Sequence, residues 1–202
     1  MPTKRMNCVL DIDQTLIASE PITEWDFENP HNKEKAMNFR LHNMEDYYMV
    51  FERPYLQEFL DYVFANFHVV IWTAASKDYA LWIIKNILIG KHPERKFDSI
   101  FFSYHCDLSK SECKQGPKDL SLLWGIFALP GYSEENTFII DDLPAVRKLQ
   151  KCNSIQVKPF EVLEKESEND TVLKDLIPKL EQIKEKTQEG DGKFCLTDIK
   201  NE

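Results

Sequence analysis

No CxxC pair, no long apolar run, no basic stretch and no internal repeat occurs in this 202-residue sequence, and each absence closes a class of function. Without CxxC spacing, the five cysteines (Cys8, Cys106, Cys113, Cys152 and Cys195) match no zinc-ligand set, even where His105 adjoins Cys106. Their odd number and irregular spacing argue against a disulfide framework and predict free thiols in a reducing compartment. No stretch approaches the ~18 apolar residues of a spanning helix. The polar segment from Met1 to Asn7 holds no signal-peptide core. A soluble intracellular protein, nuclear or cytoplasmic, is therefore expected. Acidic residues outnumber basic ones, 34 to 25, for a formal net charge of -9. That balance excludes a broad nucleic-acid footprint, which needs clustered Lys and Arg. It leaves room for a small phosphate pocket with a local cation.

What is present has a globular balance, 43% hydrophobic and 29% charged. A single domain of this size hides roughly 70% of its unfolded surface. Residues 6–12, 68–73, 99–102, 137–140 and 154–157 are short apolar runs that read as buried strands. Between them lie helical patterns. Behind Pro54, residues 55–67 put Leu56, Phe59, Leu60, Val63, Phe64 and Phe67 on one face. Ser76 caps a second helix that stops at Gly90, residues 118–127 are weakly helical, and Asp170 caps a last helix that Pro178 can kink. Continuous apolar strands alternating with helices predict an α/β fold with a parallel sheet covered on both faces. Residues 18–51 break the rhythm, being polar, aromatic-rich and punctuated by Pro21 and Pro30. They read as an insertion with small strands around Phe39 and Tyr48. The domain is expected over residues 4–186, with 187–202 as a flexible tail.

Three apolar runs end in reactive groups: Val9-Leu10-Asp11, Val70-Ile71-Trp72-Thr73 and Ile139-Ile140-Asp141-Asp142. In an open α/β sheet, ligands bind beyond the carboxyl ends of the strands, so parallel pairing would gather these side chains at one edge. Singly each is ordinary, because an Asp after a strand is mostly a turn former. Asp11-Ile12-Asp13-Gln14-Thr15 is sharper. Its two carboxylates repel one another, and a bound Mg²⁺ supplies an electrostatic reason to hold them together. The same cation would neutralise a phosphate approaching a negative nucleophile.

Asp11-x-Asp13-x-Thr15-Leu16 resembles motif I of the haloacid dehalogenase superfamily of phosphotransferases. More narrowly, the chain is similar to the FCP/SCP family of carboxy-terminal-domain phosphatases. Further segments agree in order and spacing: Glu52-Arg53-Pro54 with Glu58-Phe59-Leu60, Trp72-Thr73-Ala74-Ala75 with Tyr79-Ala80, Lys118-Asp119-Leu120-Ser121, and Ile139-Ile140-Asp141-Asp142 with Pro144. The resemblance runs from about Cys8 to Ile183. It implies a Rossmann-like parallel sheet with a small β-containing insertion after the first strand. It also implies Asp11 as the nucleophile of an aspartyl-phosphate intermediate, and Asp13 as general acid and then base. Thr73 and Lys118 would bind phosphoryl oxygens. Mg²⁺ would be held by Asp11, the backbone carbonyl of Asp13 and Asp141, with Asp142 in support. Asp119 is expected as a helix N-terminal acid and Thr15 as a loop anchor.

Two departures bear on substrate. The family's phosphate-holding Arg is absent from Phe101-Phe102-Ser103-Tyr104-His105-Cys106, where Ser103 stands in its place and Lys110 or Lys114 lies nearby. His105 is read at a core edge or facing the site. The insertion also diverges; in relatives it lines an apolar pocket for a proline beside the phosphoserine. Here Trp25, Tyr48 and Phe51 form either that substrate groove or the insertion's own core. The resemblance implies a phosphatase of phosphoserine or phosphothreonine in protein, with the RNA polymerase II tail a candidate, and no nucleic-acid or membrane partner. A small phosphate ester or nucleic-acid 3′-phosphate as substrate, and a catalytically weak binding module, stay open as alternatives.

Overall fold

The computed structural model describes residues 5–113, 116–189 and 195–196. Lys114 and most of the expected tail lie outside the described residues. The strands are β1 (Asn7–Leu10), β2 (Ile17–Pro21), β3 (Leu41–Met44), β4 (Tyr48–Glu52), β5 (His68–Trp72), β6 (Ser99–Phe101), β7 (Thr137–Asp141) and β8 (Ser154–Gln156). The helices are α1 (Pro30–Asn38), α2 (Leu56–Asn66), α3 (Lys77–Ile83), α4 (Ser103–Leu108), α5 (Pro144–Leu149) and α6 (Val172–Glu189).

Five strands form a parallel sheet in the order β6-β5-β1-β7-β8. The central strands are apolar through Cys8–Leu10, Val69–Trp72 and Phe138–Ile140 because both faces are covered there. Cys8, Leu10, Val69, Ile71, Phe138 and Ile140 pack on one face, against Phe59, Leu60 and Val63 of α2 and Leu173, Leu176 and Leu180 of α6. Val9, Val70, Trp72 and Ile139 face the other side, with Leu122, Leu123 and Val146. The fold is the expected Rossmann-like α/β class. The chain runs outward from β1 through β5 to β6, then returns to β7 and β8, so β1 is the switch point where such sheets open a ligand crevice. Leu10 is level with Ile71 and with Ile140. The strand ends therefore coincide, and Asp11 and Asp141 leave the sheet side by side.

The insertion forms an antiparallel sheet, β2-β4-β3. A small strand does lie at Tyr48, but Phe39 is the C-terminal cap of α1 rather than a strand residue. Asn29 caps α1 by accepting from the His31 N–H at 2.9 Å, and Pro30 opens it. Its sequence, PHNKEKAMN, has too few apolar positions to show a helical period. What anchors it is the buried Lys35 ammonium, which reaches Glu168 at 2.6 Å and the Glu164 carbonyl at 2.9 Å.

The expectation of free thiols throughout needs correction. Cys152 and Cys195, 43 residues apart, are joined in a disulfide, while Cys8, Cys106 and Cys113 are free. No local spacing announces such a pair; it depends on α6 carrying the chain back to the turn after α5. Among the described residues, no helix is long and apolar enough to cross a membrane.

Candidate active site

Directly beyond β1 the chain turns tightly. The Ile12 carbonyl accepts from the backbone N–H groups of Leu16 (2.8 Å) and Ile17 (3.2 Å), and Gln14 sits at φ +58°. The left-handed conformation is costly for a residue with a Cβ and persists where its surroundings fix it. Here the Phe160 N–H donates to the Gln14 carbonyl at 2.7 Å. The buried Arg53 guanidinium donates to the Thr15 carbonyl at 3.0 Å and to the Lys158 carbonyl at 2.9 Å. It also grips the Asp170 carboxylate through Nε (3.0 Å) and Nη2 (2.8 Å). One side chain thus ties the loop holding Asp11 and Asp13 to the start of α6.

Lys118 arrives on a second constrained turn, at φ +57°. Gln150 brackets it, donating to the Lys118 carbonyl and accepting from the Leu120 N–H, both at 2.9 Å. The Lys118 ammonium, 1% exposed, lies 2.6 Å from Asp11 Oδ1 and 2.7 Å from Asp141 Oδ2. Asp141 Oδ1 accepts from the Leu143 N–H at 2.8 Å, and Asp142 Oδ1 accepts from the Thr15 hydroxyl at 3.3 Å. Asp11, Asp141 and Asp142 are all buried and offer oxygens within 4.8 Å of one another.

Charge in this site does not balance. Three buried carboxylates face one ammonium, leaving two formal negative charges. Burial pushes the Asp11 carboxyl up to about 8, with Lys118 drawing it down and Asp141 pushing it further up. Burial alone would lower the Lys118 ammonium, but Asp11 and Asp141 more than offset it and hold it above its ordinary value. Burial, and then the Asp141 charge, raise Asp142. A hard divalent cation suits both the oxygen donors and the missing charge.

Asp13 lies outside this trio and lines an open cleft. It accepts a hydrogen bond from the Tyr79 hydroxyl, which lies 2.6 Å from Ser19 Oγ. Burial raises its pKa, opposed first by the Tyr79 bond, then by Lys118 and Thr73. Thr73, fully buried at the end of β5, accepts from the Ala75 N–H at 3.0 Å. The sequence offers Tyr79 only as part of the segment that carries the family resemblance. Its place one helical turn after Ser76 says nothing of its reach across to Asp13.

Other candidates fall elsewhere. The Trp25 and Phe51 rings are buried against each other, 5.0 Å between centroids, with Phe39 edge-on to Phe51, so they form the insertion's core. Strand parity is the reason: Met49 and Phe51 of β4 face that core, while Tyr48 and Val50 point the other way. Tyr48 alone of the three lines the cleft of about 740 Å³ beside Asp13. His105 belongs to the core edge; its Nδ1 accepts from the Phe102 N–H at 2.9 Å, and burial lowers its pKa. Lys110 is exposed and pairs with Asp107 at 3.4 Å. Ser103 opens α4, its N–H donating to the Ala75 carbonyl at 3.0 Å. Asp119 accepts from the Ser121 N–H at 2.9 Å, as an N-terminal acid does.

Comparison with known proteins identifies the family of the chain. The family model of NLI interacting factor-like phosphatases matches residues 6–191. The CTD phosphatase-like protein 355R of Invertebrate iridescent virus 6 is 47% identical over 169 residues, covering 83% of this chain and 92% of that protein. Its counterpart in Invertebrate iridescent virus 3 is 41% identical over 186 residues, covering 90% and 98%. The structure of Fcp1, an essential RNA polymerase II CTD phosphatase, shares the fold with a TM-score of 0.53 and 21% identity. That match takes in 92% of this chain but about half, 51%, of the Fcp1 chain. With a family match over nearly its whole length, the chain belongs to the NLI interacting factor-like phosphatases, the FCP/SCP-like branch of the haloacid dehalogenase superfamily.

Proposed function

We propose that the protein is a Mg²⁺-dependent phosphatase of phosphoserine or phosphothreonine in an extended, Pro-containing peptide. The observation that carries this reading is the convergence of Asp11, Asp141 and the Lys118 ammonium within 2.6 to 2.7 Å at the switch point of the sheet. Asp11 attacks phosphorus and forms an acyl-phosphate bond as the bond to the serine oxygen breaks. Asp13, whose carboxyl is raised by burial, gives the departing oxygen its proton. Asp13 then takes a proton from water, water attacks phosphorus, and the bond to Asp11 breaks to release inorganic phosphate. Splitting a hard hydrolysis into two displacements lowers each barrier. Lys118 and Thr73 hold the phosphoryl oxygens, where fixed donors stabilise the spread charge of the transition state. Asp11, Asp141 and Asp142, with the Asp13 carbonyl, would hold Mg²⁺, which would supply the positive charge that a phosphate dianion needs beside a carboxylate. The cleft beside Asp13, walled by Met44, Tyr48, Tyr79 and Trp82, suits an extended peptide, whose order is largely set before binding.

A phosphopeptide panel, run with Mg²⁺ and with EDTA against Asp11→Asn as the blank, tests the reading. Hydrolysis of small phosphate esters but of no phosphopeptide would refute it. With an aryl phosphate, whose leaving oxygen needs little protonation, Asp13→Asn is expected to slow release of phosphate from the enzyme more than its capture, because Asn accepts no proton from water. Acid quench should then trap phosphoenzyme that the wild type does not accumulate; its absence would remove Asp13 from the second step.

A further inference from the structure

We infer that the cleft beside Asp13 selects phosphopeptides carrying Lys or Arg close to the phosphorylated residue. This rests on the protein-phosphatase reading and adds what the flanking sequence must contain. Asp13, Glu45 and Asp78 contribute carboxylates to the cleft lining, and among the described residues no Lys, Arg or His lines it. Among the described residues, neither Glu45 nor Asp78 is held in an ion pair, and both are exposed. Their positions are fixed by unrelated elements. Glu45 sits on the β3–β4 turn at φ +50°, beside Asp46 at φ +62°, and the Asn43 side chain bridges to Asp46 at 2.7 Å and 2.8 Å. Asp78 stands in the first turn of α3 behind the Ser76 cap.

Aromatic side chains share the cleft lining with the two acids. Tyr47 is 69% exposed, and Tyr48 and Trp82 are half-buried. A purely apolar flank would cover these rings but strip water from Glu45 and Asp78 without compensation. An acidic or multiply phosphorylated flank would meet like charge here and a chain of net charge -9 beyond. A Lys or Arg stem covers the rings while its head meets the carboxylates, a combination of apolar contact, cation–π attraction and ion pairing.

The test compares phosphoserine peptides of one backbone whose flank carries Lys, Ala or Glu, with an aryl phosphate assayed in parallel. The Lys peptide should exceed the Glu peptide in kcat/KM by about ten-fold at low salt, from two exposed carboxylates and a ring face. The ratio should narrow as salt screens the charges. Glu45→Gln and Asp78→Asn should each shrink it, and Glu45→Lys with Asp78→Lys should invert it. Equal kcat/KM for all three peptides would overturn the inference and leave the protein-phosphatase reading standing. Turnover of the aryl phosphate with none of any peptide would overturn both.

Discussion

Asp11→Asn should abolish Mg²⁺-dependent hydrolysis of an aryl phosphate, by at least about a thousand-fold, while the protein stays folded. The amide matches the carboxylate in volume, so the fully packed surroundings are undisturbed, but it cannot attack phosphorus. Lys118 keeps its second partner, Asp141, at 2.7 Å, so the ammonium is not stranded. The change also relieves repulsion within the acidic trio, and stability in EDTA should not fall. A pH signature accompanies this. In the folded, metal-free protein the Asp11 carboxyl is held up at about 8, against an ordinary 3.8. Between those values the folded state binds more protons than the unfolded one, so wild-type stability falls as pH rises through the window and levels off above it. Urea unfolding in EDTA at about pH 5 and about pH 8 should show this loss, with a shallower slope for Asp11→Asn. Turnover near the wild-type rate would remove Asp11 as nucleophile, and identical pH slopes would remove the electrostatic account of the site.

The residues at the strand ends were legible because the sheet makes them so. A run such as Ile139-Ile140 has no choice but burial on both faces, and the polar doublet after it must emerge at an edge. Once the strands are parallel, Asp11 and Asp141 share that edge. The insertion was harder for a physical reason. Its helix α1 is built from polar residues and anchored by a buried lysine, so neither apolar period nor propensity marks it. Its aromatics looked like a binding surface because composition carries no parity; only the pairing of β2 with β4 decides that Phe51 turns inward while Tyr48 meets the cleft. Tyr79 and Arg53 stand in segments that carry the family resemblance, but their contacts are illegible there for a related reason. Each acts over a long sequence separation, 66 residues from Tyr79 to Asp13 and 117 from Arg53 to Asp170, which no local pattern encodes.

For Arg53 that separation predicts a large effect on stability. Arg53→Met should cost about 3–5 kcal/mol in chemical denaturation, the range for removing one partner of a buried ion pair. The methionine fills much of the space over the Phe160 ring, which the guanidinium now covers at 5.5 Å, so packing is not the main loss. The loss is polar: the Thr15 and Lys158 carbonyls lose a donor, and Asp170 keeps a charge with no counterpart. Lysine should rescue little, because a single ammonium cannot reproduce the fork that meets Asp170 at two atoms while reaching both carbonyls. Adding Asp170→Asn to Arg53→Met should recover part of the loss. It deletes the unpaired charge yet keeps a side-chain acceptor for the Val172 N–H, which Asp170 now serves at 3.0 Å. Turnover by the folded fraction should fall by about ten- to a hundred-fold, since the Gln14–Thr15 turn that aims Asp11 and Asp13 is freed on one side. A cost below about 1 kcal/mol, the worth of an ordinary hydrogen bond, would mean that the Phe160 backbone bond holds the turn unaided and that Arg53 is incidental to it.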